Sequence, residues 1–125
     1  MDRNYSVTIK ETSKELTAKE RIAIKDTSAM TKIDSITQEG YAIIKPTGWA
    51  VLGIHNEKAQ PDKDYDNFVI MSDDDMYVTG SESFWNSFRD IYDEMENEDE
   101  DWAIKMYRLP SKNRQGKDFL TCSIV

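Results

Sequence analysis

The most regular alternation of apolar and polar positions runs through residues 81–95, SESFWNSFRDIYDEM. Phe84, Trp85, Phe88, Ile91, Tyr92 and Met95 recur at the spacing of one face of a 3.6-residue helix, with Glu82, Asn86, Arg89, Asp90 and Asp93 opposite. Gly80 breaks the preceding strand and Ser81 supplies a helix cap. Four aromatics on one stripe offer more surface than so short a helix can bury by itself. A broad apolar partner is expected against it, with the strands on either side as its source.

Elsewhere the period is mostly two. Tyr5, Val7 and Ile9 alternate with Ser6, Thr8 and Lys10, the pattern of a half-buried strand, or of a frayed arm. Thr17 with Glu20 is a capping box, and the good helix formers Ala18 to Lys25 predict a short helix over 17–26 with Ile22 as its apolar side. Residues 27–38 mix Ser and Thr with Met30, Ile33 and Ile36, which fits a loop or one irregular turn pinned to the core. YAIIK and WAVLGIHNE surround a Pro46-Thr47-Gly48 interruption that suits two strands or one strand bent by a bulge. YDNFVIM and Met76 to Val78 read as strands joined by a Ser72-Asp73-Asp74-Asp75 turn. Trp102, Ile104 and Met106 alternate with Ala103, Lys105 and Tyr107, and after a polar connection DFLTCSIV closes a β-hairpin. The sum is an α+β chain, mainly antiparallel β, with one long amphipathic helix and one short N-terminal helix. An OB-like curled sheet or small barrel, its open end plugged by residues 82–95, is the arrangement that hides the aromatic stripe.

Composition narrows the setting. With 125 residues, 38% of them hydrophobic, residues 1–125 are expected to form a single domain with a real core. The longest apolar run, Trp49 to Ile54, is too short to cross a bilayer, and the charged start MDRNYSVTIK lacks the apolar stretch of a signal peptide. A lone cysteine, Cys122, suits a reducing compartment, so a cytoplasmic location without membrane contact is expected.

The net charge of −8 argues against a nucleic-acid binder until its distribution is considered. Asp93, Glu94, Glu96, Glu98, Asp99, Glu100 and Asp101 crowd the connection 93–101 between helix and strand. Without those seven, 17 acidic residues stand against 16 basic ones. Lys105, Arg108, Lys112, Arg114 and Lys117 then follow within 13 residues that hold no acid. Screening confines each patch to about 10 Å, so this asymmetry matters more than the total.

No motif selects a catalytic group, a cofactor or a metal. His55 has no neighbour at ligand spacing, Asp73 to Asp75 lack the alternate spacing and glycine of a calcium loop, and Cys122 sits among apolar residues. What remains is the interleaving of bases and aromatics in the last hairpin: Lys105, Tyr107, Arg108, Lys112, Arg114, Lys117 and Phe119. Lys105 and Tyr107 share the strand face opposite Trp102, Ile104 and Met106, as a stacking platform with phosphate contacts requires. Tyr77 and Trp49 join them as stacking candidates, because their strand neighbours Met76, Val78, Ala50 and Leu52 point the other way. The plain alternative is a solvated hairpin with ordinary surface lysines, and core roles for the remaining aromatics.

The order of the segments KELTAKERIAIKD, DDDMY, SESFWNSFRDIYDEM and AIKMYRLPSKNRQGKDFLTCSIV spans most of the chain, with Asp75, Tyr77, Ser111, Lys112 and Gly116 at its matching positions. This layout resembles the small single-stranded DNA-binding proteins of tailed phages, particularly those of protein-primed replicators. The resemblance implies an OB-like fold that coats unwound DNA during replication without sequence preference, through tyrosines and lysines. Two features depart from it: the helix carries more aromatics, and the acidic run lies before the hairpin instead of in a C-terminal tail. The resulting expectation is sequence-nonspecific single-stranded DNA binding in a phage or mobile element, inside the host cytoplasm and without catalysis. Phosphates would meet Lys105, Arg108, Lys112, Arg114 and Lys117, and bases would stack on Tyr77, Tyr107 and Trp49. The rival expectation is an acidic, DNA-mimicking inhibitor of a host nuclease or anti-phage system, anti-CRISPR-like, in which residues 93–101 occupy the cationic channel of a basic partner.

Overall fold

The computed structural model describes residues 5–58, 63–73, 75–110 and 118–125. Along the chain these form β1 (Tyr5–Thr12), α1 (Ala18–Ile24), a 3-10 turn (Thr27–Ala29), β2 (Thr31–Lys32), α2 (Ile33–Ile36) and β3 (Ala42–Ile44). They continue as β4 (Pro46–Asn56), β5 (Asp64–Ser72), β6 (Met76–Thr79), α3 (Glu82–Met95), β7 (Ile104–Pro110) and β8 (Asp118–Ile124). The fold is α+β with mostly antiparallel strands, arranged in a large sheet of order β1-β4-β5-β6-β2 and a small one of order β3-β7-β8. The described strands do not close into a barrel. None of the described helices is long and apolar enough to cross a membrane.

The large sheet is covered on both faces, which explains why WAVLGI reads as one apolar run with no alternation. Ala50, Leu52, Val69, Met71 and Val78 pack on one side with Ile24 and Met30 from the N-terminal segment. Trp49, Val51, Phe68 and Ile70 pack on the other with α3 and with Ile104, Met106, Leu120 and Cys122 of the small sheet. The Pro46-Thr47-Gly48 interruption resolves as two strands in different sheets, because the chain leaves the small sheet after Ile44 and enters the large one at Pro46. The register slips between Pro46 and Gly48. Gly48 sits in a tight spot there: a Cβ would lie 3.0 Å from Met71 Cε and 3.1 Å from Ser13 Oγ, so those side chains would have to give by a few tenths of an ångström. That hydroxyl accepts the Trp49 amide at 2.9 Å.

Helix α3 begins where Ser81 Oγ accepts the Phe84 amide at 3.2 Å. Its aromatic stripe is one chain of ring contacts. Trp85 and Trp49 make a T-shaped pair at 5.7 Å between centroids, and Trp85 stacks on Phe68 at 4.9 Å. Phe88 lies 5.1 Å from Trp85, and Tyr92 bridges Phe88 and Trp102 at 5.7 and 5.9 Å. The helix therefore packs on both sheets at once and joins them; it is a bolt, not a barrel plug.

Two N-terminal details differ from expectation. The Thr17–Glu20 capping box forms, with bonds of 3.2 and 2.9 Å. Yet Ile22 is 73% exposed and the buried residue of α1 is Ile24. The segment after it holds a two-residue strand parallel to β6 and a single helical turn that buries Ile33. Elements this short have no period for a sequence to display.

The end of the β4–β5 hairpin carries the only histidine. His55 Nδ1 lies 2.7 Å from Asp64 Oδ1 and Nε2 lies 2.6 Å from Glu57 Oε1, while Lys63 Nζ holds Glu57 Oε2 at 3.0 Å. Only the imidazolium can donate from both nitrogens. The hydrogen bonds to Asp64 and then Glu57 outweigh desolvation and raise the pKa of His55 above its usual 6.5. A raised folded-state value means that the contribution to stability is fully present below the unfolded pKa and is lost as pH rises through the folded one. An imidazole titration by NMR is expected to place the midpoint of the folded protein above that of the urea-unfolded chain, and Asp64→Asn should narrow the gap. A folded midpoint at or below the unfolded one would contradict the pairing.

Candidate nucleic-acid interface

On β7 and β8, Ile104, Met106, Leu120 and Cys122 are buried against α3, so alternation turns Lys105, Tyr107, Thr121 and Ser123 to the outer face of the small sheet. β7 is its central strand, and Lys105 lies opposite Ile43 on one side and Ser123 on the other. Tyr41 is 60% exposed and Ile43 54%, and Leu109 and Phe119, paired across the hairpin, are also exposed. The Lys105 ammonium lies over two rings, 4.5 Å from the centroid of Tyr41 and 5.5 Å from that of Tyr107. The Tyr107 hydroxyl shares a 2.6 Å hydrogen bond with Ser123 Oγ, which fixes the phenol against the sheet. The result is an open platform of aromatic and aliphatic side chains around the Lys105 ammonium.

Of the residues named from sequence, Lys105 and Tyr107 come together here. Lys112, Arg114 and Lys117 lie outside the described residues. Arg108 is turned away from the platform. It shares the inward side of Met106, and its guanidinium donates to the Asp34 carbonyl at 2.7 Å and to Thr37 Oγ1 at 3.2 Å. It thus closes the end of α2 against β7, with its Nε and Nη2 already engaged within the protein. Trp49 is corrected as well: it does face away from Ala50 and Leu52, but toward α3. Only 5% exposed, it packs nearly perpendicular to Trp85 and has the Arg89 guanidinium 3.8 Å from its ring centroid, so its ring is buried and not open to a base. Tyr77 is half-buried and lines a groove of about 330 Å³ with Ile43, Lys45 and Asp73, at the rim of the platform. Tyr41, Ile43 and Lys45 were missed as site residues. Alternation alone could have excluded Arg108, but nothing in YAIIK marks which apolar residues stay in water.

Comparison with protein-family models, curated proteins and solved structures returns no match. The resemblance to phage single-stranded DNA-binding proteins therefore rests on the residues quoted for it, and the platform is read on its own chemistry.

The seven acids of 93–101 are all exposed. Their segment is held at both ends: the Glu96 amide donates to the Tyr92 carbonyl at 2.9 Å, and beyond it Trp102 packs on Tyr92 while Ala103 and Val125 exchange backbone hydrogen bonds. This places the acids at the Ile104 end of the hairpin. Pro110 and Asp118, which bracket residues 111–117, pair at the other end. Seven strand residues separate the two ends by roughly 20 Å, about two and a half Debye lengths at physiological salt. The acids thus repel phosphates at one end of the platform and not at the other.

The remaining chemistry-bearing residues have structural work. Burial pushes the Cys122 thiol up to about 12, so it packs as a small apolar group. Asp75 accepts the Met76 amide at 2.8 Å and the Thr31 hydroxyl, tying β2 to the start of β6.

Proposed function

We propose that the chain binds single-stranded DNA without sequence preference through the outer face of β3-β7-β8, in the cytoplasm of a host cell during phage or mobile-element replication. The observation that carries this reading is the open platform itself: exposed Tyr41 and half-buried Tyr107 both lie within reach of the Lys105 ammonium at the outer face of the small sheet. Bases stack on such rings with little regard to identity, because every base has a π-face, and phosphates supply the charge contacts. The basic residues Lys112, Arg114 and Lys117 follow Pro110 in the chain and supply the further phosphate contacts of this reading. The OB-like architecture implied by the resemblance belongs to this proposal; two sheets sharing one core around α3 support it.

Titration of fluorescein-labelled oligo-dT, followed by anisotropy at two salt concentrations, tests the reading. Four phosphate contacts, by Lys105, Lys112, Arg114 and Lys117, correspond to a log–log salt slope of roughly −3. Affinity should therefore fall roughly 50-fold between 50 and 200 mM salt. No anisotropy change at low salt would end the proposal.

A second reading has its own observation, the exposed and tethered acidic segment 93–101. Under it the chain is an acidic protein that occupies the DNA channel of a basic nuclease or other anti-phage protein. Failure to bind oligo-dT, together with capture of a basic nucleic-acid-binding protein that is lost when Asp93 to Asp101 are neutralised, would favour it.

A further inference from the structure

The reading of the small sheet as a nucleic-acid platform leaves open what keeps its rings from accepting any flat apolar group. We propose that Lys105 is the specificity-determining residue of this face: its ammonium covers the rings of Tyr41 and Tyr107 in the free protein and leaves them only for a phosphate, so that the platform selects a polyanion bearing bases. The inference rests on the function proposed above.

Lys105 stands on the central strand with Ile43 and Ser123 beside it, so its side chain rises from the middle of the face. Its ammonium is within cation–π range of both rings, at 4.5 and 5.5 Å. Among the described residues it takes part in no ion pair, so the rings are its principal partners. A base cannot stack where the ammonium sits. A phosphodiester strand resolves the conflict, because the phosphate takes the ammonium while the neighbouring bases take the vacated rings. A ligand with bases but no backbone charge must displace the ammonium and offers it nothing in return, and an apolar peptide meets the same obstacle.

The test compares wild type with Lys105→Met, which keeps an unbranched side chain only one heavy atom shorter and removes its charge. Each is titrated with ordinary oligo-dT and with a methylphosphonate oligo-dT of the same length, whose backbone is uncharged. Lys105→Met should bind the ordinary oligomer more weakly, with a salt slope reduced by about 0.7. It should bind the uncharged oligomer more tightly than wild type does, by roughly 2- to 5-fold, the worth of the cation–π contact that no longer has to be broken. An uncharged oligomer bound no better by Lys105→Met than by wild type overturns the inference while leaving the platform standing. Wild type that fails to bind ordinary oligo-dT overturns both. A measurement without ligand reads the same geometry: the ε-methylene protons of Lys105 should be shifted upfield by the two rings in the free protein. They should return toward normal values when ordinary oligo-dT is added. Unshifted protons in the free protein would also overturn the inference.

Discussion

Phe88→Ala is expected to destabilise the protein by about 3–5 kcal/mol, the range for removing a buried phenylalanine from a packed core. Phe88 is fully buried between Trp85 and Tyr92, in the middle of the ring chain that joins the two sheets. The surrounding rings are pinned elsewhere, Trp85 by Trp49 and Phe68 and Tyr92 by Trp102, so the vacated volume has little freedom to collapse. A domain of this size is stable by only about 5–15 kcal/mol, so the variant should unfold at much lower urea. Asn86→Ala, on the exposed face of the same helix, should stay within about 0.5 kcal/mol of wild type. A cost below about 1 kcal/mol for Phe88→Ala would mean that α3 does not hold the sheets together.

The second large effect concerns binding. Tyr41→Ala and Tyr107→Ala should each weaken oligo-dT affinity by roughly 5- to 150-fold, the equivalent of about 1–3 kcal/mol per stacked base. Because both rings share the Lys105 ammonium, the double variant should lose less than the product of the single losses. Tyr107→Phe keeps the ring and loses the hydrogen bond to Ser123, so its difference from Tyr107→Ala measures the part due to the ring. Trp49→Phe provides the contrast: with its ring under Arg89 and against Trp85, its substitution should lower stability and leave the affinity of the folded protein unchanged. Anisotropy titrations of all the variants, with urea melts alongside, separate the two outcomes. Equal affinities for wild type and both tyrosine-to-alanine variants would remove the platform as the binding face.

The contrast between Trp49 and Tyr41 shows where sequence reasoning reached its limit. Both are aromatics in apolar runs consecutive in the chain, Tyr41 just before β3 and Trp49 in β4, and the pattern of neighbours points to Trp49 for stacking. β4 is an interior strand of the large sheet and is covered on both faces, so its two sides look alike in sequence and no period reveals which neighbour each side meets. β3 is an edge strand of the small sheet, and only its outer side is left in water. Arg108 is a different case. The alternation that puts Met106 inside puts Arg108 on the same side, and that signal was available.

The sequence by itself determined the elements whose patterns are long or chemically marked. These are α3 with its Ser81 cap and aromatic stripe, the Thr17–Glu20 capping box, the β7–β8 hairpin, and the separation of the acidic run 93–101 from the bases that follow it. Each depends on neighbours a few residues away, so local periodicity records it. The tertiary structure alone decided that the strands split into two sheets at Lys45, that Trp49 lies under α3, and that Arg108 closes α2. It also decided that Tyr41, Lys105 and Tyr107 meet on one open face. Those contacts join residues tens of positions apart, and they depend on which strands become edges and which faces the helix covers. Burial of the aromatic stripe settles that choice globally, and no short window of the sequence contains it.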